Sequence, residues 1–304
     1  MANNSEERHP RPSRALILGC GYVGERVAQR WLRHGIHVDV VTRSEDKAAR
    51  LRTSGLEPIV GDITQPSTLP TIPVPDVLLW AVGFDRSGSA SRQQLWVESL
   101  QAALTRFTSP TTTVIYISST GVYGSCDGGT VDEFTAPEPL TEAGSLCLQA
   151  EHLVHSAPTD RQAMVLRLGG IYGPDRLLRR IEELRSCQPV DGAPDHWLNL
   201  IHVRDAAAVV EQAAFRPWPA IMNVVTTPTV TRRQYYELLA ELTGCPAPVF
   251  QVTPPENDEG NRRKRSAANR RVVSAYAQQF ADLLQFNDLS SGLRQAIEYS
   301  ASPR

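Results

Sequence analysis

The stretch Arg14-Ala15-Leu16-Ile17-Leu18-Gly19-Cys20-Gly21-Tyr22-Val23-Gly24 decides the fold. Four apolar residues, Ala15 to Leu18, are too few for a helix and stop at a glycine, as a strand buried on both faces does. Glycines then follow at 19, 21 and 24, the spacing G-x-G-x-x-G. From Tyr22 to His34 the residues Val23, Val27, Ala28 and Trp31 recur at helical spacing, and Gly35 stands where a left-handed cap belongs. Strand, glycine turn and helix in this order make a dinucleotide phosphate loop. Gly19 permits the tight turn, Gly21 lets a pyrophosphate approach the backbone, and Gly24 lets the helix pack close to the strand. The helix start points its N–H groups and the positive end of its dipole at the phosphates.

Working outward, strands expected at 38–41, 56–60, 76–81, 113–118 and 163–168 alternate with helices at 45–53, 91–107 and 140–156. That alternation predicts an α/β fold of the Rossmann type, a doubly wound parallel sheet of about seven strands with Ile221 to Val225 included. After Gly170 the rhythm loosens. Helices are expected at 176–186, 202–215 and 231–243, and a strand at 197–201. The division predicted is a disordered leader over 1–13, an NAD(P)-binding domain over 14–169 plus 203–225, and a smaller C-terminal substrate lobe over 170–202 and 226–302, with the cleft between them. The polar insert 257–268 is expected on that lobe as a flap. Its run Arg262-Arg263-Lys264-Arg265 has no interleaved aromatic and reads as a solvated loop.

Composition excludes several classes. A net charge of −2 provides no field for nucleic acid or an anionic membrane. No apolar run reaches the roughly 18 residues of a membrane helix. The N-terminal residues lack the apolar stretch of a secretory signal. Five scattered cysteines (Cys20, Cys126, Cys147, Cys187, Cys245), without a CxxC pair or a Cys/His cluster, suggest neither a disulfide framework nor a metal site. A cytoplasmic protein with reduced thiols is expected. Whether it is a monomer or a homodimer is left open.

The end of the second strand selects the cofactor. An acidic residue there bonds the ribose hydroxyls of NAD, whereas an arginine accommodates the 2′-phosphate of NADP. The chain carries Thr42-Arg43, so NADP is expected in preference to NAD.

Further segments extend the reading in order: Gly61-Asp62-Ile63, Ala81-Val82-Gly83, Tyr116-Ile117-Ser118-Ser119-Thr120-Gly121-Val122-Tyr123-Gly124, Arg167-Leu168-Gly169-Gly170-Ile171-Tyr172-Gly173-Pro174, Asn199-Leu200-Ile201-His202-Val203-Arg204-Asp205, Met222-Asn223-Val224-Val225, Asn269-Arg270-Arg271-Val272 and Ser291-Gly292-Leu293. Together they resemble the extended short-chain dehydrogenase/reductases of the NAD-dependent epimerase/dehydratase family, from about Arg14 to the C-terminus. The resemblance implies that the cofactor is held by Gly19, Gly21, Tyr22, Val23, Gly24, Arg43, Asp62, Ile63, Ala81, Val82, Gly83 and Ser118. It implies that Ser119 bonds a substrate oxygen.

One departure is decisive. The family carries Tyr-x-x-x-Lys on the helix after the fifth strand, with tyrosine as acid/base and lysine lowering its pKa. Here those positions fall on Ala143 and Cys147. The only lysines are Lys47 and Lys264, and none of the eight tyrosines has a lysine four residues later. The chain therefore resembles the atypical branch that lacks the dyad. Tyr123 is a candidate for the missing proton donor, with a packing aromatic as its other reading. Glu142 and His196 are further candidates. Cys147 reads as an inert thiol, His202 as structural and Asp205 as the cap of the helix that follows it.

Two functions are consistent with these residues. One is an oxidoreductase or epimerase/dehydratase acting on a small carbonyl, hydroxyl or sugar-type substrate by hydride transfer. The other is a non-catalytic NAD(P)H-binding redox sensor or scaffold, which the missing dyad favours.

Overall fold

The computed structural model describes residues 11–84, 88–160, 162–251 and 268–301. The leader up to residue 10, the basic run and nearly all of the polar insert lie outside the described residues. Seven strands form the central sheet: β1 (Arg14–Leu18), β2 (His37–Thr42), β3 (Glu57–Val60), β4 (Val77–Trp80), β5 (Thr113–Ser119), β6 (Ala163–Leu168) and β7 (Ile221–Val224). Their spatial order is β7-β6-β5-β4-β1-β2-β3, and every neighbouring pair is parallel. The chain winds one way from β1 to β3 and the other way from β4 onward. The reversal lies between β1 and β4, and such a switch point opens a crevice at the carboxyl ends of the strands.

Eight helices accompany the sheet among the described residues: α1 (Gly24–Arg33), α2 (Glu45–Thr53), α3 (Ser99–Phe107), α4 (Glu142–His155), α5 (Leu178–Arg185), α6 (Val203–Gln212), α7 (Arg232–Thr243) and α8 (Leu289–Ala301). Alternate residues of β1 feed different cores. Ala15 and Ile17 pack with Val27, Trp31 and Val209 beneath α1 and α6. Leu16 and Leu18 pack with Leu100, Leu104 and Val154 beneath α3 and α4. Burial on both faces is why the strand reads as an unbroken apolar run. A third core joins Ile181, Leu184, Tyr235, Leu239 and Leu293 from α5, α7 and α8.

Local chemistry explains the boundaries. Gly35 ends α1 with φ +77°. Thr231 starts α7 through a capping box with Gln234. The strand expected at 197–201 is two, Trp197–Leu198 and Leu200–His202. Asn199 interrupts it because its side-chain amide donates to the Arg270 carbonyl (3.1 Å) and accepts from the Val272 N–H (2.7 Å). The cap assigned to Asp205 is also different. His202 is the N-cap of α6, with Nδ1 accepting from the Arg204 N–H at 3.3 Å. Asp205 is fully buried and accepts from the N–H groups of Gln285 (2.9 Å) and Phe286 (3.0 Å), tying the C-terminal segment to α6. No helix among the described residues is long and apolar enough to cross a membrane.

Candidate active site

The phosphate loop lies at the switch point. Gly19 has φ +94°, and a Cβ there would stand 2.5 Å from the Ala81 carbonyl carbon and 2.6 Å from Val82 N. A Cβ on Gly24 would stand 2.4 Å from the Gly19 carbonyl oxygen. These two glycines answer to protein packing. Gly21 differs, because a Cβ there would meet nothing within 4 Å. Its backbone faces open space beside the start of α1, which no side chain caps. This is the space that a pyrophosphate needs.

A cavity of about 500 Å³ runs from this loop over the strand ends and is lined by Gly19, Gly21, Arg43, Asp62, Ile63, Ala81, Val82 and Gly83. Four expected cofactor residues lie outside its lining. Tyr22 bridges to the rest of the molecule: its hydroxyl donates to the Pro174 carbonyl (2.7 Å), and its ring lies between Arg26 and Arg176 at 4.4 and 4.2 Å. Val23 and Gly24 are buried beneath the loop. Ser118 is buried on the other side of β5, donating to Glu151 Oε1 at 2.6 Å. Asp62 Oδ1 is occupied by the N–H and hydroxyl of Thr64, both at 2.9 Å. Sequence reasoning missed Lys47. It lines the same cavity from the first turn of α2, and its ammonium donates to the Cys20 carbonyl. Its position four residues after Arg43 was the available signal.

A second cavity has a volume of about 420 Å³. Consecutive residues Leu95 and Trp96 line one and the other. Ser119, Tyr123, Ala143 and Cys147 line the second. Ser119 Oγ accepts from the Gly121 N–H at 3.1 Å and caps the short turn Thr120–Val122. Cys147 shares a side-chain hydrogen bond with the buried phenol of Tyr116, and burial holds that phenol well above its usual pKa.

Tyr123 occupies a different setting from a proton donor. Its hydroxyl donates to Asn223 Oδ1 (3.0 Å) and accepts from Arg167 Nη1 (2.9 Å), and neither partner lines the cavity. Arg167 in turn forms a buried ion pair with Glu151 at 2.6 Å. Burial raises the Tyr123 pKa. Glu142 does not line the cavity and pairs with Arg92 at 3.4 Å on the surface. His196 lies outside the lining as well.

Two arginines that sequence reasoning did not place here, Arg232 and Arg270, line the second cavity, and no carboxylate does among the described residues. Arg270 donates from Nη1 to the Gly124 carbonyl (3.2 Å) and from Nη2 to the Thr120 carbonyl (3.0 Å), while its buried Nε has no partner.

The fold and this pair of cavities define a dinucleotide-binding α/β protein with a small-molecule cleft. The chain belongs to the NAD dependent epimerase/dehydratase family, whose model matches residues 15–224. It is similar to protein YeeZ of Escherichia coli strain K12, with 26% identity over 254 residues, spanning 78% of this chain and 86% of YeeZ. It is likewise 26% identical over 275 residues to the dTDP-6-deoxy-L-talose 4-dehydrogenase (NAD(P)(+)) of Kitasatospora kifunensis, spanning 82% of this chain and 85% of that enzyme. The fold matches the UDP-glucuronic acid 4-epimerase of Bacillus cereus in complex with UDP-glucuronic acid and NAD, with TM-score 0.70, 19% identity, and 94% and 98% of the two chains covered.

Proposed function

We propose that the protein is an NADP-preferring oxidoreductase or epimerase/dehydratase that acts on a small hydroxyl, carbonyl or sugar-type substrate held at Ser119 without a Tyr/Lys proton relay. The observation that carries this reading is that the phosphate-loop cavity and the Ser119 cavity are lined by the neighbouring residues Leu95 and Trp96. When bound, a nicotinamide dinucleotide supplies or accepts the hydride. The open backbone at Gly21 and the start of α1 would hold its pyrophosphate. Arg43 after β2 and Lys47 in the first turn of α2 favour a 2′-phosphate over a bare ribose. Ser119 donates its hydroxyl proton to the substrate oxygen. Tyr123 holds the cavity wall through its ring and the buried pair beneath it. The dehydrogenase of Kitasatospora kifunensis supports the substrate class.

Fluorescence titration with NADPH and NADH, followed by absorbance at 340 nm with a panel of aldehydes, ketones and nucleotide sugars, tests the reading. NADPH is expected to bind at least tenfold more tightly than NADH, and Arg43→Ala with Lys47→Ala to remove the difference. Ser119→Ala is expected to slow turnover with cofactor affinity unchanged. Failure to bind either nucleotide refutes the reading. Tight binding without turnover across the panel would favour the second reading, a cofactor-dependent sensor or scaffold, which the missing dyad supports.

A further inference from the structure

A third cavity, a groove of about 900 Å³, shares no lining residue with either of the two above. It runs along the polar face of α1 and draws further side chains from α2, α6 and α8. Five guanidinium groups line it: Arg26, Arg30 and Arg33 of α1, Arg50 of α2 and Arg204 of α6. Two of them are answered by carboxylates. Arg50 holds Glu25 through two bonds, at 2.6 and 3.1 Å, and Arg30 holds Glu211, a buried carboxylate outside the lining, at 2.5 Å. The other three have no such pairing. Arg26 donates to the Tyr22 carbonyl in the phosphate loop (2.6 Å) and Arg33 to the Gln29 carbonyl (3.3 Å). The Arg204 guanidinium makes no hydrogen bond among the described residues. The field of these groups reaches the buried imidazole of His202, whose pKa is lowered first by burial and then by Arg204 and Arg26. Asp175 is the one other carboxylate that lines the groove among the described residues. Five cations against three carboxylates leave an excess of two positive charges. A concave wall of one sign focuses its field on the space before it.

We infer that this groove is a second ligand site, outside the reaction cleft, and that it takes a polyphosphate chain, free or carried by a nucleotide. Arg26 and Arg33 stand two helical turns apart, about 10 Å along α1, and Arg204 joins them from α6. A ligand that answers all three carries its negative charge along a chain. One carboxylate or one phosphoryl group is too short. Guanidinium forks match phosphoryl oxygens bidentately. Tyr299 of α8 lines the same groove and is half exposed, so its ring offers a face on which a base can stack. The inference is independent of what reacts at Ser119.

The test titrates inorganic tripolyphosphate calorimetrically into the whole protein, with succinate as the control anion. Tripolyphosphate is expected to bind, and succinate at least tenfold more weakly. Arg33 and Arg204 are exposed, so replacing them should not disturb the fold. Arg33→Gln and Arg204→Gln are each expected to weaken tripolyphosphate about fivefold, and the double variant at least twentyfold. Arg43→Gln with Lys47→Gln, in the phosphate-loop cavity, and Arg232→Gln, in the Ser119 cavity, should leave its affinity unchanged. As a measurement that needs no variant, phenylglyoxal modification of the wild-type chain is read by mass spectrometry, with Arg33 and Arg204 expected to be protected by tripolyphosphate. ATP then identifies the source of the chain. Tighter binding of ATP than of tripolyphosphate, with the gain lost in Tyr299→Leu, marks a nucleotide, and equal binding marks the polyphosphate alone. No tripolyphosphate binding, wild-type affinity in the double groove variant, or no protection of either arginine would overturn the inference. Binding lost in the Arg43/Lys47 or Arg232 variants but kept in the groove variants would place the anion in the cleft and overturn it equally.

Discussion

Gly19 and Gly21 sit two residues apart in one motif, and their alanine variants should fail in opposite ways. A methyl on Gly19 meets backbone atoms of Ala81 and Val82 at 2.5–2.6 Å, and φ there is +94°. An L-residue in that region costs about 1–2 kcal/mol, and a backbone clash that cannot relax adds about as much again. A loss of about 2–4 kcal/mol is expected for Gly19→Ala, or about 3–6 °C in Tm at the roughly 1.5 °C per kcal/mol that 304 residues imply. A methyl on Gly21 meets no protein atom within 4 Å, and its φ is not in the left-handed range. Gly21→Ala should therefore leave Tm unchanged or raise it slightly, since alanine narrows the unfolded ensemble by up to about 1 kcal/mol. The same methyl fills the space assigned to the pyrophosphate, so NADPH affinity should fall by about 100-fold, near 3 kcal/mol. Differential scanning fluorimetry and fluorescence titration on the two variants read both quantities. A Gly21→Ala protein that binds NADPH as the wild type does would refute the placement of the pyrophosphate. A Gly19→Ala protein of wild-type Tm would refute the packing argument.

Three more expectations follow from the interior. His202 is fully buried, and burial lowers its pKa from 6.5 to about 4. The unfolded chain therefore takes up a proton that the fold refuses. The corresponding stability, about 3 kcal/mol, is present above pH 6.5 and is lost as pH falls toward 4. His202→Asn keeps a capping side chain and should flatten urea midpoints over that window. Glu151→Ala leaves the buried Arg167 charge unpaired and should cost about 3–5 kcal/mol, while Glu151→Leu with Arg167→Met should recover much of it; chemical denaturation of the three proteins decides. Tyr123→Phe strands Asn223 Oδ1 and Arg167 Nη1 and should cost about 1–3 kcal/mol in urea unfolding, without changing the pH dependence of turnover.

The strands and their parallel order were legible because burial on both faces leaves a mark that few sequences imitate. Ala15 to Leu18 is apolar throughout since each residue meets one of two cores. Glycines 19, 21 and 24 were legible as a set with separate roles, and a Cβ would be crowded at Gly19 and Gly24 but meet nothing at Gly21. The lobe's contribution was opaque for a different reason. Arg232 and Arg270 come from α7 and from the segment after the polar insert, and no local period marks a cavity formed by tertiary packing. Asp205 misled because an acidic residue near a helix start is a common cap, whereas here the carboxylate serves a distant loop. Tyr123 stood in a motif shared with substrate-facing residues, and the motif does not record which way a hydroxyl turns.

The missing dyad has a kinetic consequence. In a Tyr/Lys site the rate follows the ionisation of the phenol. Under the proposed reading Ala143 and Cys147 hold those positions, and the Tyr123 proton is given to Asn223. On that reading, what remains at the substrate oxygen is the Ser119 hydroxyl, which does not titrate near neutrality, and the Arg270 guanidinium, which stays charged near neutral pH. Arg270 spends two nitrogens on the carbonyls of Thr120 and Gly124 and keeps a buried Nε without a partner. The two carbonyls fix its plane, so its charge is in place before any negative charge develops on the substrate. Stabilisation of that kind lowers the barrier without a proton transfer. Under the proposed reading, kcat/KM should therefore be flat from about pH 6.5 to 9, whereas a catalytic phenol would impose a limb within that range. Arg270→Gln should lower kcat by about 10²- to 10³-fold, the scale on which one preorganised donor acts. Arg270→Lys should recover only part, because lysine cannot hold both carbonyls in one plane. A titrating limb near pH 7–8 in the wild type, retained in Arg270→Gln, would show that an unassigned acid or base carries the proton and that the cavity works by relay after all.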